Sequence, residues 1–163
     1  YFSNNSNVWT HGDWISIDSK RGILMQGRSD ATLNRNGIRI GTSEIYMALD
    51  RLDNIKDALI IEFPMKESSS SQLFLFIVAT NSLNEKSKTE IKQHLKKQCS
   101  PRHAPDYIIP VKEIPYTISG KKMEIPVKKI FSGFSIDKVA APGAMRNPES
   151  LNAFVEIRNK MSF

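Results

Sequence analysis

Leu73-Phe74-Leu75-Phe76-Ile77-Val78 is the stretch that most limits what this chain can fold into. Six consecutive apolar residues, β-branched and aromatic among them, predict a buried strand. Ala58-Leu59-Ile60-Ile61, within residues 55–63, carries the same signature, and Pro64 with Ser68-Ser69-Ser70-Ser71 marks an exposed loop between the two. Buried strands need helices on them. Ile45, Ala48, Leu49 and Leu52 fall at helical spacing, so residues 43–53 are expected to form an amphipathic helix docking on the sheet, with Thr42 as N-cap and Glu44 suiting the helix dipole.

A second helix is expected over residues 87–98, with Ile91 and Leu95 inward and Lys88, Lys92, Lys96 and Lys97 mostly outward; Pro101 stops it. Ser100-Pro101-Arg102-His103-Ala104-Pro105 is a rigid connector, since each proline restricts itself and the residue before it. Tyr107-Ile108-Ile109-Pro110-Val111 predicts a third strand, at an edge because Pro110 has no N–H to donate. Pro126 suits a first helical turn that Val127 to Phe131 continue, residues 132–147 are loop-like, and residues 148–158 form a last amphipathic helix with Leu151, Phe154 and Val155 on one face. The fold class expected is α+β: a small three-stranded sheet with packed helices.

Ahead of this domain, Trp14, Ser16 and Asp18 alternate with Ile15 and Ile17 as in a short strand, residues 19–22 suit a hairpin loop, and Ile23-Leu24-Met25 returns as a second strand. Gly27-Arg28-Ser29-Asp30 lies between apolar segments without belonging to either, as a linker or hinge would. Asn36-Gly37 then signals a tight turn within a small hairpin.

The 163 residues, 40% hydrophobic and 25% charged, describe an ordinary globular protein, without the roughly 18 apolar residues in a row that a membrane helix needs. The start at Tyr1, polar and without methionine, suggests a segment of something longer. A single cysteine, Cys99, rules out an internal disulfide framework and agrees with a reducing compartment, the cytoplasm by default. His11, His94, His103 and Cys99 show neither metal-ligand spacing nor a Ser/His or Cys/His arrangement for nucleophilic catalysis.

The net charge of +6 is uneven: residues 86–129 hold 11 Lys/Arg against 4 Asp/Glu, which points to an anionic partner. Within this half, Ser119-Gly120 is a turn signal that sets Lys121 out in front of the fold. The sequence around it lacks the upstream glycine and the Ser/Thr of a phosphate-binding P-loop. Asp13, where turn meets strand, could satisfy turn amides or accept hydrogen bonds from a diol such as ribose.

Together these stations resemble the C-terminal part of the adenylate-forming acyl-CoA synthetases. His11-Gly12-Asp13-Trp14 is similar to that family's Thr-Gly-Asp motif. Gly27-Arg28-Ser29-Asp30 with Gly37-Ile38-Arg39-Ile40 and Glu44-Ile45 resembles its hinge and hairpin, and Pro115-Tyr116-Thr117-Ile118-Ser119-Gly120-Lys121 resembles its final lysine motif. Residues 9–14, 27–41, 100–106 and 146–149 look most like the branch that takes acetoacetate. The resemblance implies that residues 1–29 end a larger adenylation domain, 30–131 form a mobile catalytic domain, and 132–163 extend it. It assigns Lys121 to catalysis of adenylation, Asp13 and Arg28 to the nucleotide, Asp30 to the hinge, and Gly37, Arg39 and Lys96 to the face that meets CoA. It implies ATP, CoA and a short acid such as acetoacetate as substrates, with Mg2+ held beside ATP mainly by the upstream domain, and neither nucleic acid nor membrane as partner. His11, Asn34, Tyr116 and Glu124 depart from the commoner Thr, Lys, Lys and Arg of the family, and His11 puts the threonine's phosphate or magnesium contact in question.

A different class of function, a binding module for CoA, nucleotide or nucleic acid using residues 86–129, makes its own demand. Nucleic-acid binding wants aromatics interleaved with the basic residues and a steep salt dependence, and this segment offers few aromatics. Titration with single-stranded DNA at two salt concentrations is expected to show only weak association; tight, salt-sensitive binding would favour the nucleic-acid module.

Overall fold

The computed structural model describes residues 7–8, 12–28, 31–35, 37–64 and 71–161. The first elements are strands β1 (Asp13–Ile17), β2 (Ile23–Arg28), β3 (Leu33–Arg35) and β4 (Ile38–Ile40), followed by helix α1 (Thr42–Leu49). Strands β5 (Ile55–Pro64) and β6 (Ser71–Ala79) lead to α2 (Glu85–Gln98) and β7 (Tyr107–Pro110), and α3 (Glu124–Phe131), α4 (Ile136–Val139) and α5 (Ser150–Lys160) complete the chain.

The central sheet runs β5-β6-β7, antiparallel between β5 and β6 and parallel between β6 and β7. Because side chains alternate along a strand, its apolar runs bury both faces. Ala58, Ile60, Leu73, Leu75 and Ile77 meet α1, α2 and the β3-β4 hairpin through Ile45, Leu49, Ile91, Leu95 and Leu33. On the other face Leu59, Ile61, Phe74 and Phe76 meet α3 and α5 through Val127, Phe131, Leu151 and Phe154. Rings concentrate here: Phe76 lies edge-on to Phe154 at 4.8 Å and to Phe131 at 5.5 Å between centroids.

Several boundaries differ from expectation for local reasons. Gly27 and Arg28 are not linker but the end of β2, opposite Trp14 and Asp13. Thr42 is not the cap of α1; it is buried inside the first turn, and Gly41 takes the extended N-cap geometry with no side chain to bond. That helix closes at Leu49 rather than residue 53, although Leu52 still packs on the core. Asn84 starts α2 earlier than expected by accepting the Ser87 N–H at 2.8 Å. Residues 132–147 are not all loop, since they hold α4 and a 3-10 turn at Pro142–Ala144. Among the described residues of the β1-β2 ribbon, Ile15, Ile17, Ile23 and Leu24 are 48–66% exposed.

Phe154 is fully buried, so Phe154→Ala is expected to lower stability by about 3–5 kcal/mol. Chemical denaturation of the two forms measures it; a loss under about 1 kcal/mol would mean that α5 is peripheral to the core.

Candidate functional site

Thr117, Gly120 and Lys121 close a three-residue hairpin loop. The Gly120 N–H donates to the Thr117 carbonyl at 2.9 Å, and the Thr117 N–H donates to the Lys121 carbonyl at 2.9 Å. Gly120 has φ +79°, the left-handed bulge position that such loops use, where an L side chain is strained by about 1–2 kcal/mol. Thr117 Oγ1 accepts the Lys121 N–H at 3.0 Å, which fixes the backbone at the lysine itself. Residues after α4 stitch the loop's outer side: Ile118 N–H donates to the Ala144 carbonyl, Arg146 N–H to the Tyr116 carbonyl, and Asn147 Oδ1 accepts the Tyr116 N–H. The Lys121 side chain is exposed and lines a cavity of about 200 Å³ with Ala31, Thr117, Met123 and Pro126.

The base of the loop is a polar cluster at the free edge of β5. Tyr116 and Lys122 bridge one another across the loop, and both reach the Asp57 carboxylate. Tyr116 Oη donates to Oδ2 at 2.9 Å, and Lys122 Nζ donates to Oδ1 at 2.8 Å and to the Ala58 carbonyl at 2.6 Å. Lys122 Nζ also lies 4.1 Å from the Tyr46 ring centroid, a cation–π distance. Tyr46 Oη donates to Glu124 Oε1 at 3.0 Å and accepts the Ile60 N–H at 3.1 Å. Burial, and then the Glu124 carboxylate, push the Tyr46 hydroxyl well above its ordinary range; burial and the Asp57 carboxylate do the same for Tyr116. Both phenols therefore stay protonated donors.

At the other end of β5, about 17 Å away by the rise of the strand from Asp57 to Glu62, sits a second group of side chains. Glu62 accepts the Asn34 N–H at 3.0 Å, and Arg35 donates to the Ala104 carbonyl at 2.7 Å and to Asp106 Oδ1 at 2.9 Å, docking the β3-β4 hairpin on the sheet. Gly37 at its tip has φ +81°, and a Cβ there would meet nothing within 4 Å. Arg39, exposed on β4, lies 5.2 Å from the Trp14 ring centroid, and these two line a cavity of about 270 Å³ with Thr32 and Glu44. Lys96, exposed on α2, shares a cleft of about 440 Å³ with Arg35, Lys92 and Tyr107. Of the lysines expected mostly outward, Lys92 is half-buried, its Nζ donating to the Asp106 carbonyl at 2.9 Å.

Lys121 thus sits on a loop anchored at Asp57, and Gly37 on a hairpin anchored at Glu62 and Asp106. Asp13 is half-exposed on β1 with Arg28 opposite it in register; the Arg28 side chain, Asp30 and His11 lie outside the described residues. Glu44, expected only to suit the helix dipole, accepts from or bonds to His103 Nε2 at 2.9 Å, and His103 Nδ1 meets Ser100 Oγ at 2.9 Å. The fold therefore does assemble a Ser/His pair, which ties the connector to α1; Ser100 Oγ also caps the turn at Pro101–His103 by accepting the Arg102 N–H. Asp57, Tyr46 and Lys122 were missed from the sequence. Lys122 stands beside Lys121, but the 65 residues between it and Asp57 hide their pairing until β5 is placed.

No family model matches the chain. Among curated proteins it is 41% identical to an acetoacetyl-CoA synthetase of Caenorhabditis elegans over 97% of its length and 38% identical to that of Gallus gallus over 100%. It spans about a quarter of those relatives, 23% and 24% of their lengths, and the part matched is the C-terminal one. Among solved structures, an acetoacetyl-CoA synthetase from Streptomyces lividans superposes with a TM-score of 0.89 at 36% identity, over 99% of this chain and 24% of that one. In sequence along its whole length, and in a fold shared with the C-terminal domains of acyl-CoA synthetases, the chain corresponds to the C-terminal part of the acetoacetyl-CoA synthetases.

Proposed function

We propose that this chain serves both half-reactions of an ATP-dependent acid–thiol ligase, forming acetoacetyl-AMP and then acetoacetyl-CoA. In the first, a carboxylate oxygen of acetoacetate attacks the α-phosphorus of ATP and pyrophosphate leaves. Lys121 stands between the acyl carboxylate and the α-phosphate, where a fixed cation offsets the charge that gathers as the mixed anhydride forms. In the second, the CoA thiol loses its proton and attacks the acyl carbonyl, and AMP leaves. Gly37, Arg39 and Lys96 then face the reacting groups, the glycine leaving room for the pantetheine arm and Lys96 offering a charge to CoA.

The observation that carries this reading is the separation of the two groups along β5, anchored at Asp57 and at Glu62. A rigid body of this kind presents one group or the other to a single reaction centre. Residues 30–131 are therefore assigned to a mobile domain that turns about Asp30 after pyrophosphate leaves, with residues 1–29 ending the adenylation domain and 132–163 forming an extension. Asp13 would accept from the ribose hydroxyls, and Arg28 would contact nucleotide ribose or phosphate. The relatives' names support acetoacetate as the acid. Mg2+ would accompany ATP, held mainly by the portion of the relatives that this chain does not span. The segment by itself is inactive on this reading.

In the full-length enzyme carrying this segment, Lys121→Ala is expected to lower acetoacetate-dependent ATP–pyrophosphate exchange by about 100-fold or more. Equal exchange in mutant and wild type would sink the assignment. Gly37→Leu is expected to slow acyl transfer from preformed adenylate to CoA about tenfold or more while exchange stays within about twofold. Equal loss in both steps would remove Gly37 from the CoA face.

A further inference from the structure

We infer that Asp57 is a positioning residue for Lys121, acting through Lys122 and Tyr116, and that it serves the adenylation step alone. The inference rests on the adenylation reading of Lys121.

The geometry is specific to that task. A lysine at a loop tip is placed only as well as the two legs of the loop, and here both legs end on one carboxylate. Tyr116 on the incoming leg takes Oδ2 at 2.9 Å, and Lys122 on the outgoing leg takes Oδ1 at 2.8 Å. Asp57 is itself held, since Oδ1 also accepts the Ala58 N–H at 2.8 Å. Lys122 has two further restraints, the Ala58 carbonyl at 2.6 Å and the Tyr46 ring at 4.1 Å. An ion pair serving stability would need one leg; convergence of both on a single anion fixes the loop against rocking.

The arrangement also decides which of two adjacent lysines is the free cation. Successive side chains of an extended segment point to opposite sides, so holding Lys122 inward on β5 turns Lys121 outward. The Asp57–Lys122 pair is only about a quarter exposed, 24% and 23%, so water screens it less than a surface pair. Without Asp57, Lys122 would keep the Ala58 carbonyl and the Tyr46 ring but lose its charged partner, and the outgoing leg would lose its tie to the incoming one. The CoA group of side chains has a different anchor, Asp106 and Glu62, and does not pass through Asp57.

The test uses the full-length enzyme with Asp57→Asn, which keeps size and hydrogen bonding but removes the charge, and with Lys122→Met. Two rates are read separately: acetoacetate-dependent ATP–pyrophosphate exchange, and transfer from preformed acyl adenylate to CoA. Expected for each variant is a fall in exchange kcat of about tenfold with KM for ATP within about twofold and transfer within about twofold. The double variant should be no worse than the worse single one, because both break one pair. Parallel loss of both half-reactions would overturn the inference in favour of general destabilisation. Unchanged exchange in Asp57→Asn, with Lys121→Ala strongly impaired, would overturn it while leaving the adenylation reading intact. Unchanged exchange in Lys121→Ala would remove that reading and the inference together.

Discussion

A three-stranded sheet that is apolar on both faces must be covered twice, and that requirement arranges everything else in this chain. Leu59, Ile61, Phe74 and Phe76 on one face and Ala58, Ile60, Leu73 and Leu75 on the other leave no side for water. Burial of that extent stabilises the sheet by about 25 cal/mol per Å² of apolar surface, so the helices have little freedom in where they settle. Helices α1 and α2 take one face, and α3 and α5 the other. What remains uncovered are the ends of the strands and the free edge of β5, and the polar clusters gather there.

The basic half of the chain looks different once folded. Of the lysines that make residues 86–129 positive, Lys88 pairs with Glu85, Lys92 donates to the Asp106 carbonyl, Lys122 pairs with Asp57 and Lys128 approaches Glu62. Some of these charges are satisfied internally, while Lys96 and Lys121 are exposed.

Much of this fold was legible in the sequence because its cues are local. Apolar runs gave β5 and β6, helical spacing gave α1, α2 and α5, and Asn36-Gly37 and Ser119-Gly120 gave the two hairpin tips. Pro110 correctly marked β7 as an edge. Boundaries were less legible: Thr42 has the chemistry of an N-cap, but core packing drew it into the first turn and left Gly41 at the cap. Glu44 is similar, since its partner His103 lies 59 residues away and no local pattern announces it. The site residues divide the same way. Lys121 and Gly37 sit in short motifs, whereas Asp57 meets Tyr116 and Lys122 only because the sheet brings distant segments together.

The hydrogen bonds that hold the Lys121 loop have a thermodynamic consequence of their own. Tyr116 and Lys122 reach Asp57 across 59 and 65 residues of sequence, so the base of the loop depends on the sheet while its tip is closed by its own Thr117, Gly120 and Lys121 bonds. Opening of the β5 edge would release both legs from Asp57 together, so amide exchange at Tyr116 and Lys122 is expected to follow that edge. A protein of this design reports the integrity of its sheet through the mobility of a single exposed lysine.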